Sequence, residues 1–149
     1  MLLLIVTTLQ AQTTTKSTSK STSIISIHSD SDDNNSTYSY SDSSKQNSNV
    51  SVSISNSDDS YSLQAKYPEE KHQELKDVLI KEMSSKNHTI KNGKDYWKSD
   101  SNGEEVYKVS LSNTKLSMFL DKEIASSSLA EKFETLGLTI RLVIVGEQN

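Results

Sequence analysis

Apolar and polar residues alternate in two similar stretches of the first half of the chain. "SIISIHSDSDDNNSTYSYS" begins at Ser23, and "SVSISNSDDSYSLQAK" begins at Ser51. Around the second, Val50, Val52 and Ile54 fall on one face of a strand, and Tyr61, Leu63 and Ala65 on one face of the next. Serine fills most of the alternate positions, as a solvent-facing side would require. This spacing predicts a β-hairpin. The first stretch is a looser version, with Ile25 and Ile27 on one strand and Tyr38 and Tyr40 on its partner, separated by a longer acidic and Asn-rich interruption. A lone two-stranded hairpin is marginal in water, so this unit is expected to be loosely paired or to lie along the edge of an existing sheet.

The period becomes helical at "YPEEKHQELKDVLIKEMSSKN". Pro68 suits the first helical position and Glu69 and Glu70 the first turn, while Leu75, Val78, Leu79 and Met83 form one apolar stripe. Asp77 can pair with Lys81, and the helix should end near Ser85 with Asn87 in a left-handed cap. Alternation then returns. Asn92-Gly93 and "SDSNGEE" read as turns; Tyr107, Val109 and Leu111 share one face, answered by Leu116, Met118 and Leu120 across "SNT". "SSSLAEKFETLG" predicts a second helix with Ser128 and Glu131 as a capping box, Leu129, Phe133 and Leu136 as its stripe, and Gly137 at its C-terminal cap. The tail "LTIRLVIV" carries two signals. Phe133, Leu136, Ile140 and Val143 keep helical spacing, but β-branched content tips the reading towards a last strand over 138–145. The expected fold class is α+β: a small, mostly antiparallel sheet with two helices in the order ββ-α-βββ-α and that last strand, preceded by a disordered or loosely paired Ser/Asn-rich segment.

Composition sharpens the division. Serine supplies 19 of the 50 residues from Thr13 to Ser62, and the apolar fraction of the whole chain is only 32%. Such a segment buries too little to offset its ordering entropy on its own. At 149 residues the length allows one domain and a tail. The net charge of −4 is spread thinly, at −3 over residues 1–62 and −1 over the rest, which gives no electrostatic footprint for nucleic acid or an anionic membrane. Lysines recur every five residues from Lys66 to Lys91, but each step turns about 140° around a helix, so no basic stripe forms. The absence of cysteine removes structural disulfides, thiolate chemistry and Cys-based zinc sites.

"MLLLIVTTLQAQ" opens the chain with an apolar run far shorter than the roughly 20 residues of a spanning helix, and it suits the core of a secretory signal. "LQAQ" resembles the leaders of exported proteins of the Bacteroidetes, which implies cleavage between Ala11 and Gln12 and a periplasmic or secreted product. The resemblance covers the leader alone. The expected organisation is a signal peptide over 1–11, a Ser/Thr/Asn-rich low-complexity segment with a degenerate hairpin over 12–47, and a small α+β domain over 48–149.

Candidate chemistry is sparse. Asp30, Asp32 and Asn34 match the first ligands of a calcium loop, but Asn35 holds the glycine position and Ser41 the place of the bidentate glutamate. His28, His72 and His88 have no second ligand at a recognised metal spacing; His72, at the edge of the helical stripe, reads as a half-packed structural residue. Glu69-Glu70 is explained by a helix start and Glu104-Glu105 by a turn, and neither these nor Asp121 and Glu123 form an acid–base pair in sequence. No nucleophile elbow, phosphate-cradling loop or other cofactor motif is present, and no metal site is assigned. "KDYWK" is the most informative local feature. Tyr96 and Trp97 point to opposite faces of a strand, so one belongs to the core and the other could stack on a sugar or a partner peptide. The reading is of an exported binding or scaffolding domain with a protein or glycan partner in the cell envelope, no nucleic-acid partner and no membrane span. The alternatives are a hydrolase whose site assembles only in three dimensions, which a cleft holding a carboxylate or histidine of perturbed pKa would favour, and an envelope structural protein without a small ligand.

Overall fold

The computed structural model describes residues 24–29, 36–42 and 50–146. They form eight strands and two α-helices: β1 (Ile24–Ser29), β2 (Ser36–Asp42), β3 (Val50–Asn56), β4 (Ser60–Lys66), α1 (His72–Glu82), β5 (His88–Lys91), β6 (Lys94–Ser101), β7 (Glu104–Ser112), β8 (Lys115–Asp121) and α2 (Ser127–Val145). All eight strands join one antiparallel sheet in the order β1-β2-β3-β4-β8-β7-β6-β5. The chain thus runs as two four-stranded meanders, each followed by a helix. The first ends at β4 in mid-sheet, α1 carries the chain to the far edge, and the second works back until β8 pairs with β4.

The α+β class and the antiparallel sheet are as the alternation predicts, with one strand added. Asn92-Gly93 and Asn102-Gly103 all have positive φ, the backbone of primed hairpin turns, so the block between the helices holds four strands instead of three. The looser N-terminal unit belongs to the same sheet. β1 sets Ile25 opposite Tyr40 and Ile27 opposite Tyr38, and β2 in turn sets Tyr38 opposite Ile54 and Tyr40 opposite Val52.

The tail corrects the expectation of a last strand over 138–145. α2 continues through it, burying Phe133, Leu136, Gly137, Ile140 and Ile144 at helical spacing. β-branching costs a helix only tenths of a kcal/mol per residue, whereas burying each large side chain returns about 1.5–3 kcal/mol, so packing wins. Gly137 accordingly lies inside the helix and the C-cap is Gly146, at φ 80°. The N-cap is Ser126, whose hydroxyl accepts from the Leu129 amide at 3.3 Å, in place of the Ser128–Glu131 box.

The first helix is also shorter than its pattern. A 3-10 turn, Glu69–Lys71, precedes α1, and Asn87 ends a second 3-10 turn without a left-handed backbone. Asn87 instead donates from its side chain to the Tyr107 hydroxyl at 2.7 Å, and Asp77 accepts from Gln73 at 2.8 Å instead of pairing with Lys81. Leu75, Leu79 and Met83 are buried, and Val78 packs partly against the same core. Both helices join a single apolar cluster with the inward residues of β3, β4, β6, β7 and β8. The opposite face of the sheet carries neither helix.

Candidate functional site

The uncovered face follows from the alternation itself. Successive register pairs draw one row across it: Ser39, Ser53, Gln64, Ser117, Ser110, Tyr96 and Thr89, from β2 to β5. Every member carries a hydroxyl or an amide. Gln64 Nε2 donates to Ser117 Oγ at 2.7 Å across β4 and β8. Around the middle of the row lies a groove of about 440 Å³. Tyr96, Ser53, Gln64 and Ser110 line it together with Lys66, Lys94 and Lys115, and no acidic side chain among the described residues does.

The two aromatic candidates separate as neighbours on a strand must. Trp97 is buried, its ring stacked on His88 with centroids 4.4 Å apart. Tyr96 is half-exposed and stands in the groove. The structure therefore assigns Trp97 to the core and leaves Tyr96 on the face where a ligand could reach it.

Three lysine pairs stand directly opposite one another on this face: Lys66 with Lys115, Lys91 with Lys94, and Lys98 with Lys108. All six are exposed. Lys98 reaches Asp100 at 3.1 Å and Glu105 at 3.3 Å, and these acids hold its ammonium above the ordinary lysine value. The other five form no ion pair among the described residues.

A second polar group lies on the covered face, and the sequence alone did not reveal it. Asp95, 3% exposed, occupies an inward position between Leu111 and Ile90. Lys76 from α1 donates to it at 3.0 Å, and His88 Nε2 lies 2.8 Å from its other oxygen. Burial pushes the carboxyl up, but the bonds and charges of Lys76 and His88 outweigh burial and hold it below the usual carboxylate value. Close by, Tyr67 donates to the Ser112 carbonyl, and His72 Nδ1 lies 3.2 Å from the same oxygen. Burial, and then the Asp95 charge, push the Tyr67 phenol well above its ordinary value. Asp95 is fully engaged by Lys76 and His88 and does not line the groove. The available signal was the acidic residue two positions before an inward tryptophan, in phase with the core.

A smaller cavity of about 260 Å³ opens between β2, β3 and α2, with Arg141 4.3 Å above the Tyr38 ring. Among the described residues no cluster of three His, Asp or Glu side chains could hold a metal, and no helix is long and apolar enough to cross a membrane. Asp30, Asp32 and Asn34 of the calcium-like motif and the leader over 1–11 lie outside the described residues. No protein-family model, curated protein or solved structure matches the chain.

Proposed function

We propose that this chain is a non-catalytic binding domain that holds an oligosaccharide against the bare face of its sheet. One observation carries the reading: the row of hydroxyl and amide groups runs into a groove with Tyr96 at its side. Sugars are recognised by hydrogen bonds to their hydroxyls and by an aromatic ring against their C–H face, and this surface offers both. The hydrolase alternative draws less support, because the strongly held carboxylate, Asp95, faces the core and is occupied by Lys76 and His88. The leader adds a location. The domain works outside the cytoplasm and its mature form begins near Gln12, so N-terminal sequencing from fractionated cells should find Gln12, and an intact Met1 in the cytosol would overturn that part.

Affinity electrophoresis through gels containing dextran, laminarin, polygalacturonate or chondroitin sulfate tests the binding. Retardation by at least one is expected, with Tyr96→Ala weakening it by about 3–10-fold. Passage unretarded through all four gels, or retardation indifferent to Tyr96→Ala, overturns the proposal.

A further inference from the structure

The lysines narrow the ligand. Like charges directly opposite on neighbouring strands destabilise a sheet, yet this face carries three such pairs. The arrangement is local and not compositional, since the whole chain is acidic at −4. From β4 to β5 the order is Lys66, Lys115, Ser112, Lys94 and Lys91, with Lys94 preceding the Asp95–Leu111 pair by one residue and so continuing the row. Lys115 and Lys94 are therefore two strand spacings apart, about 10 Å, with the hydroxyl of Ser112 between them. Cations at that interval, separated by hydrogen-bonding groups, suit a chain in which anionic groups recur between hydroxylated units.

We infer that the groove takes an acidic polysaccharide, with Lys66, Lys94 and Lys115 receiving its carboxylate or sulfate groups while the hydroxyl row and Tyr96 hold the sugars between them. The inference rests on the oligosaccharide reading. A bound anion removes the mutual repulsion of Lys66 and Lys115 and gains charge-assisted hydrogen bonds from both. An anionic membrane fits less well: among the described residues Phe119, 39% exposed, is the large apolar side chain this face shows, which gives little to insert between lipids. Single-stranded nucleic acid needs successive stacking platforms, and among the described residues Tyr96 is the sole aromatic lining the groove.

The test compares the gels above at low and high sodium chloride, using the full exported domain and two variants. Polygalacturonate and chondroitin sulfate should retard the protein and dextran should not, with the acidic interaction weakening at least about 10-fold as salt screens it. Lys66→Ser combined with Lys115→Ser should weaken it by about 10-fold, while Lys132→Ser on α2, which removes a charge from the other side of the molecule, should leave it unchanged. Without any ligand, sodium sulfate should raise the melting temperature of the parent more than that of the double variant. Retention on dextran or laminarin equal to that on the acidic gels, or a double variant that behaves as the parent, overturns the acidic ligand but leaves the oligosaccharide reading standing. Binding to single-stranded DNA or phosphatidylserine vesicles in preference to every polysaccharide overturns both.

Discussion

The two faces of the sheet are one residue apart and chemically opposite. Tyr38, Ile54, Leu63, Met118, Val109, Trp97 and His88 make a row beneath the helices. Ser39, Ser53, Gln64, Ser117, Ser110, Tyr96 and Thr89, each the chain neighbour of a residue in the first row, make the exposed one. A one-residue slip of any strand would exchange its two sets, putting serine or lysine under a helix and leucine in water. Each large apolar side chain so misplaced forfeits about 1.5–3 kcal/mol, which makes the register of the central strands strongly specified. The difference also separates two jobs. The covered face supplies stability, and the bare face is free to carry groups that cost a little stability, such as the opposed lysines.

The sharpest way to break this comparison is to truncate neighbours on β4. Leu63 is fully buried, and Leu63→Ala should cost about 2–5 kcal/mol in urea unfolding, through lost burial and the cavity left behind. Gln64→Ala, one residue along and exposed, should cost no more than about 0.5 kcal/mol. Similar losses at both positions would show that the faces do not divide the energetics as the packing indicates.

Asp95 is the exception on the covered face, and it predicts the next largest effect. Asp95→Asn leaves Lys76 beside an uncharged amide in a mostly buried site, and should cost about 2–4 kcal/mol at neutral pH. The carboxyl is held below its ordinary value in the folded state, so its stabilising contribution is complete above the unfolded value of about 3.9 and is lost as pH falls through the lower folded one. The stability gap between parent and Asp95→Asn should therefore close progressively as the pH falls below about 4. A gap independent of pH would mean that Asn fails for reasons of shape, and that the charge of Asp95 contributes nothing.

Gly137 sharpens the contact between helix and sheet. A Cβ there would sit 1.7 Å from Tyr61 Oη and 2.9 Å from its Cζ, a closeness only glycine permits. Gly137→Ala should therefore be destabilising by about 1–2 kcal/mol, overpacking of about 1–3 kcal/mol outweighing the helix propensity gained. The Tyr61 hydroxyl has no hydrogen-bond partner among the described residues, so Tyr61→Phe alone should cost little. In that background the alanine should be better tolerated. An equal penalty in both would place the clash elsewhere.

These comparisons also mark what the sequence made legible. Alternation alone separates the faces of β3, β4, β7 and β8, because each strand is mostly polar on one side and apolar on the other. It also divides Tyr96 from Trp97. It misreads the tail, where Ile140 and Ile144 satisfy a strand by residue type and a helix by spacing, and only the core beneath α2 decides between them. It mistakes Gly137 for a cap, since a glycine chosen for close approach to Tyr61 resembles one chosen for its backbone. The Lys66–Lys115 pair escapes for a different reason. Lys66 and Lys115 are far apart in sequence and become neighbours only through the crossover that sets β8 against β4. Long-range pairing between meanders, with no local signature, is where sequence reasoning ends.

The smallest effect is the most exacting test of the bare face. Gln64 and Ser117 are joined by an exposed 2.7 Å hydrogen bond at the centre of the hydroxyl row. Each group exchanges that bond for one with water when its partner is removed, so the pair should contribute little net stability. A double-mutant cycle with Gln64→Ala and Ser117→Ala should give a coupling of about 0.5 kcal/mol or less in urea melts. In the gels, by contrast, the two changes should weaken polysaccharide retention by several-fold, because both groups turn to a ligand once one is bound. A coupling near 2 kcal/mol, with retention unaltered, would make the row a structural ladder of the sheet and remove its place in binding.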